Sequence, residues 1–197
     1  ALAHRFVDSA MAGKNFVYVS VAEGIGTGIF IDGPIYKSRS KKAGEFGHMK
    51  VADSGLPCKC GRTDCWELYA SKNALMRYYR QLTGNSRERD EDLLADLRQA
   101  FIKGDEKATE AVRRYVSYLF RGIETILLSL SPDEIIIGGD LGELMGDIVS
   151  YGLNDLKLNS RFFGYESVPI RVSMFKETGA IPGSAFLPLY QVYDQNT

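Results

Sequence analysis

No stretch of this chain is apolar for long enough to span a bilayer. The best candidate, residues 123–130, is broken by Glu124 and Thr125. No secretory signal opens the sequence. Charge of neither sign is in excess. The 24 Lys and Arg against 25 Asp and Glu leave a net charge of −1, which excludes a global attraction to nucleic acid or to an anionic membrane. There is no repeat of fixed period and no low-complexity segment. Cysteine is scarce at three residues and histidine scarcer at two. A disulfide scheme would leave one thiol over, and a thiol set without spares fits a reducing cytoplasm, the expected location.

What is present is ordinary for a soluble globular chain: 197 residues, 45 % hydrophobic and 25 % charged, enough for one large domain or two small lobes. The opening residues, Ala1 to Phe6, read as the middle of a helix, with no cap and no initiator Met. The chain is therefore expected to be a piece of a longer protein.

Residues 15–21 form a β-rich run of Val and aromatic residues, and residues 28–31 a second. Asp32-Gly33 is a hairpin signal leading into a third strand at 34–36, so the first fifty residues read as a meander. From Trp66 the period changes. Leu68, Leu75, Met76, Tyr79 and Leu82 recur at helical spacing until Gly84. Further helices are expected over 91–103 and 105–129, the second capped by Asp105 and closed by Pro132. A buried strand at 133–140 precedes a helix over 141–158, a strand over 169–174 and an apolar helix from Gly179 to Tyr190. Strands alternating with helices in this order indicate an α/β architecture.

All three cysteines and one histidine fall within twenty residues. His48, Cys58, Cys60 and Cys65 make a complete ligand set for tetrahedral zinc, with no position left for water, which makes the site structural. Gly61 permits the sharp turn between Cys60 and Cys65. Three unrelated buried thiols would be the alternative, but Lys59, Arg62, Thr63 and Asp64 around them are not core residues. The loop begins and ends beside carboxylates, Glu45 and Glu67. Two acids on one rigid loop suit the hydroxyls of a polyol or sugar; as isolated residues they read as solvated acids, with Glu67 a helix-dipole partner.

Two glycine motifs remain. Gly24, Gly26 and Gly28 lie between the first two strands, where they either let the backbone approach a phosphate or simply close a hairpin. Gly138-Gly139 follows a parallel-type strand, where glycines border a ligand crevice or make a plain strand-to-helix turn.

Gly44-Glu45-Phe-Gly-His48 followed by Cys58-x-Cys60-Gly-x-x-x-Cys65-x-Glu67 resembles the signature of the ROK family (repressors, open reading frames, kinases). The resemblance covers essentially the whole chain. It implies an actin-like, RNase H-like sugar kinase fold, with residues 1–197 as its C-terminal lobe and the zinc loop at 44–67. It implies that His48, Cys58, Cys60 and Cys65 hold zinc and that Glu45, His48 and Glu67 face sugar hydroxyls. Gly24, Gly26 and Gly28 fall at the family's second phosphate motif, and Gly138 and Gly139 at its adenosine motif. The N-terminal lobe with the catalytic base would lie outside this chain, so no catalytic residue is expected here.

The family holds both kinases and repressors. Its kinases usually carry Gly-Thr where this chain has Ala22-Glu23, and a small residue at Asp140. A carboxylate about 4–5 Å from a polyphosphate at an effective ε of about 20 is repelled by several kcal/mol per charge. Residues 177–183 also look more like the repressor branch. The expectation is a sugar-responsive effector-binding and oligomerising domain of a ROK regulator. It would bind a monosaccharide or sugar phosphate, assemble as a homo-oligomer and reach DNA only through a domain not in this chain. The alternatives are a piece of an ATP-dependent ROK sugar kinase and a zinc-stabilised interaction module without ligand.

Overall fold

The computed structural model describes residues 2–8, 11, 13–40, 42–84, 89–159 and 168–175. Its centre is a four-stranded sheet with the order β2-β1-β3-β4. These strands are β1 (Phe16–Val21), β2 (Ile25–Phe30), β3 (Glu134–Gly139) and β4 (Ile170–Val172). β1 pairs antiparallel with β2, from Phe16↔Phe30 to Val21↔Ile25. It pairs parallel with β3, Val17 opposite Ile135 and Val21 opposite Gly139. β3 pairs parallel with β4. The central strand β3 is buried along nearly its whole length, as its Ile-rich run requires of a strand covered on both faces.

Alternation divides the core. Val17, Val19, Val21, Ile25, Ile29, Ile135 and Ile137 face the main helical layer. Phe16, Phe30 and Ile136 face the other way with Met11, and the two phenyl rings stack 4.4 Å apart. The helices are α1 (Leu2–Val7), α2 (Glu67–Ala70), α3 (Lys72–Thr83), α4 (Asp90–Ile102), α5 (Glu106–Leu130) and α6 (Leu144–Asn159). The expected cap at Asp105 is present: its carboxylate accepts from the Ala108 amide at 2.8 Å. Gly84, at φ 70°, ends α3 in the left-handed conformation, which glycine adopts without a Cβ clash. The stripe Ala108, Ala111, Val112, Tyr115, Leu119, Ile123 and Ile126 of α5 is buried, each large member contributing about 1.5–3 kcal/mol. Among the described residues, no helix is long and apolar enough to cross a membrane.

The amino-terminal meander is a hairpin. β2 starts at Ile25 rather than at residue 28, so Gly26 lies inside the ladder opposite Ser20, as Gly28 does opposite Tyr18. The third strand expected at 34–36 reduces to one bridge, Phe30↔Ile35. Pro34 has no amide to extend a ladder, and its carbonyl instead accepts from Ile31 at 3.1 Å. α6 begins at Leu144 rather than 141, because residues 140–143 form the turn after β3. The helix expected from Gly179 to Tyr190, and the 177–183 segment with it, lie outside the described residues.

Candidate functional site

A short 3-10 turn, Glu45–His48, lies beside β2. Gly44 enters it at φ 85°, and the Thr27 hydroxyl donates to the Gly44 carbonyl at 2.5 Å. A Cβ on Gly47 would overlap the Ile25 carbonyl, so the turn sits directly on the β2 backbone. Residues 49–66 then fold back on themselves through Val51 N–Asp64 O at 3.0 Å and Trp66 N–Met49 O at 2.8 Å. The Cys58 amide donates to Arg62 O at 2.8 Å, with Gly61 at φ 88° making the bend.

This folding gathers the four expected ligands. One donor atom from each of His48, Cys58, Cys60 and Cys65 lies within 4.8 Å of all the others. The Cys60 and Cys65 sulfurs are 3.5 Å apart, and Cys58 Sγ is 3.7 Å from His48 Nδ1. Tetrahedral zinc with S bonds of about 2.3 Å and N bonds of about 2.0 Å spaces its ligands roughly 3.5–3.8 Å apart, so the donor set fits a metal ion of that kind. Burial pushes the Cys65 thiol up to about 12 and raises that of Cys58 as well. The Arg62 backbone amide holds the exposed Cys60 thiol below its ordinary value.

The two carboxylates flank the imidazole. Glu45 Oε2 is 3.8 Å from His48 Nε2, and Glu67 Oε1 is 3.4 Å from His48 Nδ1. Glu67, the first residue of α2, also accepts from the Cys58 thiol at 3.1 Å. Its second oxygen lies over the β1–β2 turn, where a Cβ on Gly24 would come within 2.8 Å of Oε2. Glu45, His48 and Glu67 therefore converge on one face, with Glu45 the most exposed at 63 % of its side chain.

Two supports of this loop carry no signal in the cysteine spacing. Asp64, 1 % exposed and at φ 59°, accepts from Tyr69 OH at 2.5 Å and from Ser54 Oγ at 2.9 Å. It also accepts from the amides of Gly55 at 2.9 Å and Leu56 at 3.1 Å. The Tyr69 hydroxyl, then these amides and Ser54, hold its carboxyl well below the usual carboxylate range against the opposing effect of burial. Trp66 is fully buried and donates from Nε1 to Tyr118 O at 2.9 Å, which pins the loop to α5.

Gly138 and Gly139 end β3 beside the carboxyl end of β1. Asp140 N donates to Val21 O at 2.9 Å, and Lys72 N to Ala22 O at 2.9 Å. A Cβ on Gly139 would overlap the Val21 carbonyl, and one on Gly138 the Tyr18 hydroxyl, so packing against β1 accounts for both glycines. Beside this junction lies a cleft of about 450 Å³ lined by Lys72, Asp90, Glu91, Arg98, Asp140 and Glu143 among others. Its two bases are engaged: Lys72 with Asp90 at 3.8 Å, and Arg98 with Glu143 at 2.7 Å and Asp147 at 2.8 Å.

The ROK family model matches residues 1–186. The xylose repressor of Bacillus subtilis is 33 % identical over 129 residues, 66 % of this chain and 32 % of the repressor. The glucokinase of Streptomyces coelicolor is 31 % identical over 148 residues, 69 % of this chain and 46 % of the kinase. The chain thus spans less than half the length of either relative. Among solved structures, a ROK family glucokinase from Streptomyces griseus, in complex with glucose and AMPPNP, superposes with a TM-score of 0.78. It is 24 % identical, and the match covers 94 % of this chain and 64 % of that one. The fold is the actin-like ROK sugar kinase fold, and the chain belongs to the ROK family.

Proposed function

We propose that this chain is the C-terminal, effector-binding and oligomerising part of a sugar-responsive ROK transcriptional regulator. In this reading the rest of the protein supplies the opposing lobe and a DNA-binding domain. His48, Cys58, Cys60 and Cys65 would hold zinc as a structural clamp. Glu45, His48 and Glu67 would accept and donate hydrogen bonds to a monosaccharide or sugar phosphate. Ligand binding would bias lobe closure, and a homo-oligomer would transmit that bias to the DNA-binding arms.

The observation that carries the regulator reading over the kinase is the charge at the carboxyl end of the sheet. The Asp140 amide donates to the Val21 carbonyl, two residues before Glu23, so two acidic residues stand in the turns that follow β3 and β1, where the kinase reading would put a nucleotide's phosphates. In the neighbouring cleft Asp90 and Glu143 pair with Lys72 and Arg98 and Glu91 adds a further acid, so neither base is left over for a phosphate. Each uncompensated carboxylate within about 4–5 Å of a triphosphate opposes binding by roughly 3–4 kcal/mol at an effective ε of about 20. Gly24, Gly26, Gly28, Gly138 and Gly139 are accordingly read as relics of phosphate and adenosine motifs.

The likeness to the Streptomyces glucokinase favours a second reading, part of an ATP-dependent sugar kinase. Calorimetry of the full-length protein with ATP separates the two. The regulator reading expects no heat of binding and no sugar-dependent release of ADP. Micromolar ATP affinity or such release would make it a kinase.

A further inference from the structure

We propose that Gly24 is a positioning residue for Glu67: the missing side chain in the β1–β2 turn sets where the Glu67 carboxylate stands in the sugar face. This deepens the sugar-site reading and rests on it. It gives Gly24 a task different from the approach to phosphate that its place in a glycine-rich turn suggests.

The geometry is specific to one glycine. Gly24 and Gly26 lie two residues apart, and neither has a positive φ, so alanine is compatible with the backbone at both. A Cβ at Gly26 would meet nothing within 4 Å. A Cβ at Gly24 would stand 2.8 Å from Glu67 Oε2, closer than carbon and oxygen tolerate. The obstructing atom is the free end of a flexible side chain. The fold can therefore accept alanine by moving the carboxylate, whereas a carboxylate moved away no longer meets the ligand.

The turn itself cannot give way easily. Ala22 O accepts from Lys72 N at 2.9 Å, and Ala22 N donates to Gly24 O at 2.9 Å. On the next stretch of the hairpin, the Ile25 carbonyl lies against Gly47 and Thr27 O would be 2.5 Å from a Cβ on Gly44. The hairpin is thus fixed both to the start of α3 and to the 3-10 turn that carries Glu45 and His48. Glu67 is the movable partner. Its contact with the Cys58 thiol belongs to the metal-free chain, since a metal would take that proton.

The test is a matched set in the full-length protein: Gly24→Ala, Gly26→Ala, Glu67→Asp and the double variant Gly24→Ala/Glu67→Asp. Co(II) alone serves as the first probe, because its charge-transfer bands report an intact thiolate site. Both glycine variants are expected to keep the wild-type bands and melting temperature. D-glucose, D-xylose and N-acetylmannosamine are then titrated by calorimetry. For whichever binds the wild type, Gly24→Ala should lose at least tenfold in affinity and Gly26→Ala less than twofold. Glu67→Asp, which retracts the carboxylate by one methylene, should cost tenfold in the wild type but under twofold in the Gly24→Ala background. Wild-type affinity in Gly24→Ala, or losses that simply multiply in the double variant, would overturn the proposal. If none of the sugars binds the wild type, the sugar reading falls by itself. The Gly24 relation is then decided by crystal structures of the two glycine variants. A Glu67 carboxylate displaced in Gly24→Ala alone is expected, and an unmoved one overturns it.

Discussion

The indole of Trp66 lies directly over Gly122 of α5. A Cβ at Gly122 would overlap the ring atoms of Trp66, which is fully buried. A glycine in the interior of a 25-residue helix costs about 1 kcal/mol relative to alanine. The chain bears that cost at the place where the metal loop, through the residue after Cys65, is docked on the core.

Gly122→Ala sets the two effects against each other. Helix propensity gains about 1 kcal/mol, but overpacking a closed core typically costs about 1–3 kcal/mol and more where an aromatic ring must leave its place. We expect a net loss of about 1–3 kcal/mol in urea denaturation, with a red-shifted Trp66 fluorescence as the ring leaves its site. An unchanged or raised stability would mean that the ring and helix are not in this contact.

Acid should destabilise the fold in two stages. Burial holds the His4 imidazole at about 4, below its ordinary 6.5. The unfolded chain therefore takes up this proton first, and stability is lost as pH falls from 6.5 towards 4. Glu134 adds a second stage. Burial pushes its carboxyl up, but hydrogen bonds from Lys14 and Arg171 prevail and hold it below 4.5. Its contribution is present above 4.5 and is lost as pH falls below that value. Urea denaturation at pH 7.5, 6 and 5 checks the first window, and His4→Gln should flatten it. A pH-independent stability across that range would remove His4 from the account.

Zinc content is the third test. Protein purified without chelator should carry one equivalent per chain, on the donor set formed by His48, Cys58, Cys60 and Cys65. Loss of outer-shell partners costs metal affinity roughly 10–100-fold, and loss of a direct ligand costs more. Cys60→Ser should thus weaken binding by at least about a hundredfold in competition with a chelating dye. A zinc-free sample that keeps its melting temperature would speak against a structural metal.

Much of this was legible in the sequence because the residues concerned act locally. The Asp105 cap and the Gly84 terminus both obey rules that span four residues or fewer. The metal loop was legible because cysteine and histidine are rare and occur together. The hairpin was less so. Gly26 has poor strand propensity, yet it pairs with Ser20, because the ladder follows from β1 and not from its own preference. The roles of Asp64, Gly122 and Gly24 were hidden altogether. Each answers to a residue elsewhere in the chain: Asp64 to Ser54 and Tyr69, Gly122 to Trp66, Gly24 to Glu67. Such pairings arise only when the chain has folded.

Glu45 and Glu67 stand on either side of His48, at 3.8 Å and 3.4 Å, and removing one charged acceptor from a buried sugar contact costs about 1.5–3 kcal/mol, or roughly ten- to a hundredfold in affinity. The decisive measurement is calorimetry of the full-length protein against a monosaccharide panel, followed by Glu45→Gln and Glu67→Gln on the tightest ligand. Both variants are expected to lose at least about tenfold in affinity while keeping their metal. Binding within twofold of wild type in both would contradict this and move the ligand site elsewhere.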